Sequence, residues 1–171
     1  MRRVGEKFER GEAFLTDLVS AATAAKEAVD TILRLAMEKS RKTQQSLGKV
    51  VLGTVSGDIH DIGKNIVGAM LFAPGFEVID LGSDVPAETF LTSSTKVQAD
   101  IVGSSALLST TLPVQREIVN EFVKRKIRDQ YRLLVGGAPA TEKWARDIGA
   151  DGYAPNALDA VKLAKRVLCV S

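Results

Sequence analysis

A chain of 171 residues, with 45% apolar and 26% charged side chains, is long enough to bury a real core and fits one globular domain plus an appendage. A formal net charge of +2 is too small to make nucleic acid or a membrane surface the main partner, and no apolar run is long enough to span a bilayer. The single cysteine, Cys169, excludes an internal disulfide and a zinc site built from thiolates; it reads as a packing residue near the end of a terminal helix. The charged start, Met1 to Glu6, carries no apolar secretory core and predicts a cytoplasmic protein.

Residues 1–43 read as helical. Leu15, Leu18, Val19, Ala22, Ala25, Val29, Ile32, Leu33 and Ala36 recur at the spacing of one helix face, with Thr16 or Asp17 as the cap. Gly11 separates this helix from a shorter one over Arg3 to Arg10. Two helices with one apolar face cannot form a bundle alone, so they need the following domain, a ligand or a second copy. The polar run from Glu38 to Ser46 reads as a linker.

From Lys49 onward strand and helix signals alternate. Strands are predicted at Val50–Thr54, Glu77–Leu81, Ile101–Ser105, Arg132–Val135 and Gly152–Ala154, with helices at Ile62–Phe72, Ala87–Gln98, Pro113–Arg128, Glu142–Ile148 and Ala157–Leu168. Such alternation implies a parallel sheet covered on both faces; with five strands, a flavodoxin-like doubly wound order leads. Pro74-Gly75 has the chemistry of a loop, and Arg128 to Tyr131 reads as a charged turn.

The stretch Val50 to Gly63 organises the rest. It runs from an apolar strand into a loop bearing Gly57, Asp58, Ile59, His60, Asp61, Ile62 and Gly63, and His60 is the only histidine. Open α/β sheets bind ligands at the carboxyl ends of their strands, where this imidazole falls. The Asp58-x-His60 spacing lets a carboxylate reach one ring nitrogen, which fixes the tautomer and makes the other a better metal donor. After the third strand, Ser104 to Thr111 is rich in hydroxyls and includes Ser105, Leu107, Ser109 and Thr111. After the fourth, Gly136-Gly137-Ala138-Pro139 lets another group approach the backbone. After the fifth come Tyr153, Ala154, Pro155 and Asn156. Each has a bland reading: a satisfied histidine, a tight turn, a helix cap. Together, at successive strand ends, they describe a slot for something long with a polar tail.

These residues resemble a known family. Gly57 to Asn65 is similar to the Asp-x-His-x-x-Gly signature of corrinoid-binding domains, Ser105-Ala106-Leu107 to their Ser-x-Leu, and Gly136-Gly137 to their third motif. Phe76 to Pro86 and the leader Val4 to Leu15 also resemble the family. The resemblance covers nearly the whole chain. It is to cognate corrinoid proteins of the methanol, methylamine and methoxyaromatic methyltransferase systems, and to the cobalamin module of methionine synthase.

The resemblance implies a Rossmann-like corrinoid-binding domain over 46–171 under a partial helical cap at 1–45. The implied cofactor is cobalamin, or a cobamide with another lower base, bound base-off/His-on. His60 would ligate cobalt, Asp58 would accept the other ring N–H, and Thr111 would extend the relay. The displaced nucleotide tail would enter the slot of Ser105, Leu107, Gly136 and Gly137, with Tyr153 to Asn156 near its end. Gly63 would admit the corrin edge, and Phe14, with Leu18, would shield the upper face. Cobalt would then carry a methyl group from a substrate-specific methyltransferase to an acceptor methyltransferase, with a reductive activator as a further partner. Family caps commonly have four helices, whereas this chain begins where the third is expected and has Thr16 in place of the usual proline. That predicts a truncated cap or a homodimer completing it.

Two rivals share the motifs: the small subunit of an adenosylcobalamin-dependent mutase, and a corrinoid-dependent sensor. The first generally lacks the helical leader, and the second calls for a DNA-binding module. A third, a flavodoxin-like domain without its cofactor, is opposed by Asp58, His60, Ser105, Gly136 and Gly137 together.

Overall fold

The computed structural model describes residues 46–170, with Arg10 and Glu12. Gln45–Ser171 forms a compact unit of its own. The helices expected within 1–43, and with them Phe14 and Leu18, lie outside the described residues.

Five strands, β1 (Lys49–Thr54), β2 (Glu77–Asp80), β3 (Ile101–Ser105), β4 (Arg132–Gly136) and β5 (Gly152–Tyr153), form one parallel sheet in the order β2-β1-β3-β4-β5. The helices between and after them are α1 (Ile62–Phe72), α2 (Ala87–Val97), α3 (Pro113–Lys124), α4 (Glu142–Ile148) and α5 (Ala157–Val167). This is the flavodoxin-like doubly wound order anticipated from the alternation. Its switch point lies between β1 and β3, the two neighbours of the first strand's exit loop.

Alternation along the strands divides the core. Val51, Val102, Leu133 and Val135 pack on one face with Phe90, Ile118, Val119, Phe122 and Ile148 from the helices. Their neighbours Val50 and Ile101 pack on the other face with Leu71, Phe76 and Ala164, where α1 lies against α5. Both faces are covered, so the strand segments read as near-continuous apolar runs.

The registers bring functional positions into line. Thr54 pairs with Ser105, and Ser105 with Gly136, so the ends of β1, β3 and β4 are level. Ala154 continues the row through its N–H to the Val135 carbonyl at 3.2 Å.

One predicted helix was too long. The segment read as Pro113–Arg128 stops at Lys124, because Lys126 turns into the left-handed region at φ 58°. The Ile127 N–H then returns to the Phe122 carbonyl at 3.1 Å, and Ile127 packs on the core. A left-handed residue with that returning bond and apolar contact is a stop signal usually written with glycine; here a lysine holds it, so the sequence does not show it. Arg128–Gln130 forms a 3₁₀ turn, and Arg128 is tied to Gly149 and Tyr131 carbonyls and to Asp151.

Candidate functional site

The site starts from a buried charge. Asp58 is fully buried, and both carboxylate oxygens are engaged. Oδ1 accepts from the His60 main-chain N–H at 3.0 Å and meets His60 Nδ1 at 2.8 Å. Oδ2 accepts from the Leu107 N–H at 2.6 Å, the Leu108 N–H at 3.3 Å and the Thr111 hydroxyl at 3.2 Å. Burial by itself pushes this carboxyl up, but the main-chain bonds from His60, Leu107 and Leu108 and the bond from the imidazole outweigh it, holding the group at about 2. Asp58 is therefore ionised at any physiological pH.

That charge fixes the ring. An ionised carboxylate only accepts, so the contact at Nδ1 places the ring proton there and leaves the lone pair on Nε2. The His60 side chain is 48% exposed, unlike its partner. A half-open imidazole with a carboxylate behind it is the arrangement of a metal-ligating histidine. Among the described residues no three His, Cys, Asp or Glu side chains gather to hold a bare ion.

The surroundings suit a broad apolar group. Ile59 and Ile62 are 75% and 66% exposed, and Ile66, Leu107 and Leu108 are exposed as well. They lie on α1 and on the two loops that Asp58 joins. A Cβ on Gly63 would meet nothing within 4 Å, so the start of α1 is open above the chain. Asp61 is the N-cap residue of α1.

The structure brings Asp58, His60 and Thr111 together, with Gly57 beside them at φ 79°. Ser105 closes β3, and its carbonyl accepts from the Val55 N–H at 3.0 Å. Ser109 and Ala138 are exposed, while Tyr153 and Ala154 are half-buried. The two neighbouring glycines differ in kind. Gly137, at φ 112°, is required by the chain itself, since a Cβ there would lie 1.8 Å from the Ala106 carbonyl oxygen. A Cβ on Gly136 would make only an ordinary 3.5 Å contact with the Ala154 carbonyl. Asn156 uses its side chain locally, accepting from the Asp159 N–H at 3.0 Å as the cap of α5.

Four supporting groups escape a reading of sequence. Thr54 is buried at the end of β1, and its hydroxyl donates to the His60 carbonyl at 3.3 Å. Asp84 accepts from the Gly57 N–H at 2.7 Å. Lys64, buried in the first turn of α1, donates to both oxygens of Asp80 at 2.5 and 2.6 Å. Gln115 is fully buried; its amide donates to the Ser104 and Gly136 carbonyls at 3.0 Å each and accepts from Trp144 Nε1 at 3.0 Å. Polarity alone puts Lys64 and Gln115 outside a core, so periodicity hides them. Only the position of Lys64 directly after Gly63 offered a cue.

Fold and site together define an open parallel α/β domain that presents one carboxylate-backed imidazole at its switch point. A family described as B12 binding domain matches residues 48–162, and a second of the same description matches residues 1–33. The chain is 46% identical over 168 residues to dimethylamine corrinoid protein 3 of Methanosarcina mazei, covering 98% of this chain and 99% of that one. The solved monomethylamine corrinoid protein of Methanosarcina barkeri superposes with a TM-score of 0.75 at 35% identity, over 97% of this chain and 77% of its own. The methanol:cobalamin methyltransferase complex MtaBC of Methanosarcina barkeri gives 0.71 at 31% identity, over 98% of this chain and 63% of that one. The chain belongs to the B12-binding family of corrinoid proteins. No helix among the described residues is long and apolar enough to cross a membrane.

Proposed function

We propose that this chain is a methyl carrier that binds a corrinoid base-off/His-on and serves a substrate-specific methyltransferase and an acceptor methyltransferase. The observation that carries it is the buried, ionised Asp58 holding Nδ1 of a half-exposed His60 at 2.8 Å. When bound, the corrinoid supplies a cobalt centre that accepts and releases a methyl group. The relatives named for dimethylamine and monomethylamine, and the methanol:cobalamin methyltransferase complex, support both the cofactor and the partners.

The chain's own part is to bind and to position. His60 would hold the cobalt through its Nε2 lone pair, and Asp58 retains the proton on Nδ1. The main-chain N–H groups of His60, Leu107 and Leu108 keep Asp58 charged, and the Thr111 hydroxyl helps to hold it in place. Ile59, Ile62, Leu107 and Leu108 offer apolar contact for the corrin, and Gly63 leaves room for its edge. Ser105, Leu107, Ser109, Gly136, Gly137, Ala138, Tyr153, Ala154 and Asn156 border the place assigned to the nucleotide tail. In this reading 46–171 is the corrinoid domain.

Labelling decides the axial ligand. Full-length protein uniformly enriched in nitrogen-15 is loaded with unlabelled cobalamin and reduced to the paramagnetic cobalt(II) form. A protein nitrogen on cobalt gives an electron-spin-resonance splitting into doublets, and His60→Ala abolishes them. Triplets persisting in the labelled protein would show the corrinoid's own base still bound and end the His-on reading.

A further inference from the structure

Four non-glycine residues among those described have positive φ: Asp84, Gln98, Lys126 and Cys169. Three of them follow helices. Gln98 caps α2, Lys126 follows the cap of α3, and Cys169 follows the cap of α5. A left-handed residue is ordinary at a helix end. Asp84, at φ 56°, ends no helix; it lies at the carboxyl edge of the sheet, between β2 and α2. A backbone held in a sparsely populated region at that edge needs a local cause.

The cause is on the neighbouring loop. Asp84 Oδ1 accepts from the Gly57 N–H at 2.7 Å and the Ser56 hydroxyl at 3.2 Å, while the Asp84 N–H donates to the Asp58 carbonyl at 3.0 Å. Val85, buried in the core next to it, extends the β1–β2 pairing: it bridges Val55, and its N–H reaches the Thr54 carbonyl at 3.0 Å. The turn that carries Asp58 is thus gripped on both sides by one exposed residue whose neighbour, Val85, lies in the core. Glycine would adopt this φ with less strain but would offer no acceptor.

We infer that Asp84 is a positioning residue for the axial histidine: its carboxylate and N–H hold the Gly57-Asp58 backbone where Asp58 can aim the His60 ring. The inference rests on the His-on reading above. Asp84 reaches the ring only through Asp58.

The test uses the full-length chain as wild type, Asp84→Ala, Asp84→Gly and Asp84→Asn. Each is titrated with cobalamin and with its metal-free analogue, which cannot be ligated, and Gly57 amide exchange is followed in the protein without corrinoid. Ala and Gly lose about tenfold in affinity for cobalamin, the size of one hydrogen bond. They lose nothing toward the metal-free analogue, and Gly57 exchanges faster. Asparagine, which keeps an acceptor oxygen, stays near wild type. Equal losses toward both corrinoids, an unchanged Ala or Gly variant, or an Asn variant as weak as Ala would overturn the inference. Wild-type protein that binds the two corrinoids alike would sink the His-on reading instead. Gly57 exchange would then judge Asp84 alone: faster in Asp84→Ala supports the grip, unchanged overturns it.

Discussion

The loop leaving β1 and the loops leaving β3 and β4 meet at one edge of the sheet, but different forces hold them. Around His60 the chain is fixed by side chains: Asp58 to the imidazole, Thr54 to the His60 carbonyl and Asp84 to Gly57. Between β3 and β4 backbone meets backbone, with the Ala106 N–H on the Gly136 carbonyl at 3.2 Å and Gly137 pressed against Ala106. Beneath that contact Gln115 ties both strand ends together. The first loop therefore leaves open space above Gly63, whereas the second is closed against itself at Gly137. Two glycines in neighbouring motifs serve opposite purposes.

Substitution exposes that contrast most sharply at Gly137. Gly137→Ala combines a left-handed backbone with a contact no Cβ tolerates, and is expected to lose about 3 kcal/mol or more, read from urea unfolding without corrinoid. If it unfolds like wild type, the two loops are not held differently. Next comes Gln115→Leu, which leaves the Ser104 and Gly136 carbonyls and the Trp144 indole without this partner and is expected to cost roughly 2 kcal/mol. Trp144 is the only tryptophan, so its near-ultraviolet dichroism reports the loss directly.

Acid separates the loops by charge. Asp58 sits at about 2 in the folded chain against 3.8 unfolded, so the unfolded state binds more protons between those values. Its contribution is fully present above the unfolded value and disappears as pH falls through the folded one. Roughly 2 kcal/mol of stability should be lost across that window in the corrinoid-free protein. Asp58→Asn should flatten that slope, and an undiminished slope would place the acid sensitivity elsewhere. The smallest expected effect is at Gly63. Gly63→Ala meets no atom and sits in the first turn of a helix, so stability rises by about 0.5 kcal/mol. Cobalamin affinity should nevertheless fall, because the methyl group takes the space assigned to the corrin edge; calorimetry measures both.

The two loops were also unequally legible. Asp-x-His, the hydroxyl-rich segment and the paired glycines put Asp58, His60 and Thr111 on one edge before any coordinates, because strand alternation fixes which ends meet. Element positions followed from the same alternation, and the overlong helix failed at Lys126, where a left-handed turn is written without glycine. Asp84, Gln115 and Lys64 could not be read this way. Their roles come from long-range hydrogen bonds, and a polar residue satisfied in the interior looks in sequence like one in solvent. For Gly137, too, the sequence indicated closeness but not to what.

Lys64 changes how the outer surface should be regarded. Its side chain is wholly enclosed, while Asp80, which receives it, is 47% open to water. A mutational survey ranked by accessibility would treat Asp80 as expendable. Neutralising that visible carboxylate would strand an enclosed ammonium with Asn65 as its one remaining partner among the described residues, four residues along from the histidine. The vulnerable end of this pair is the one solvent can see.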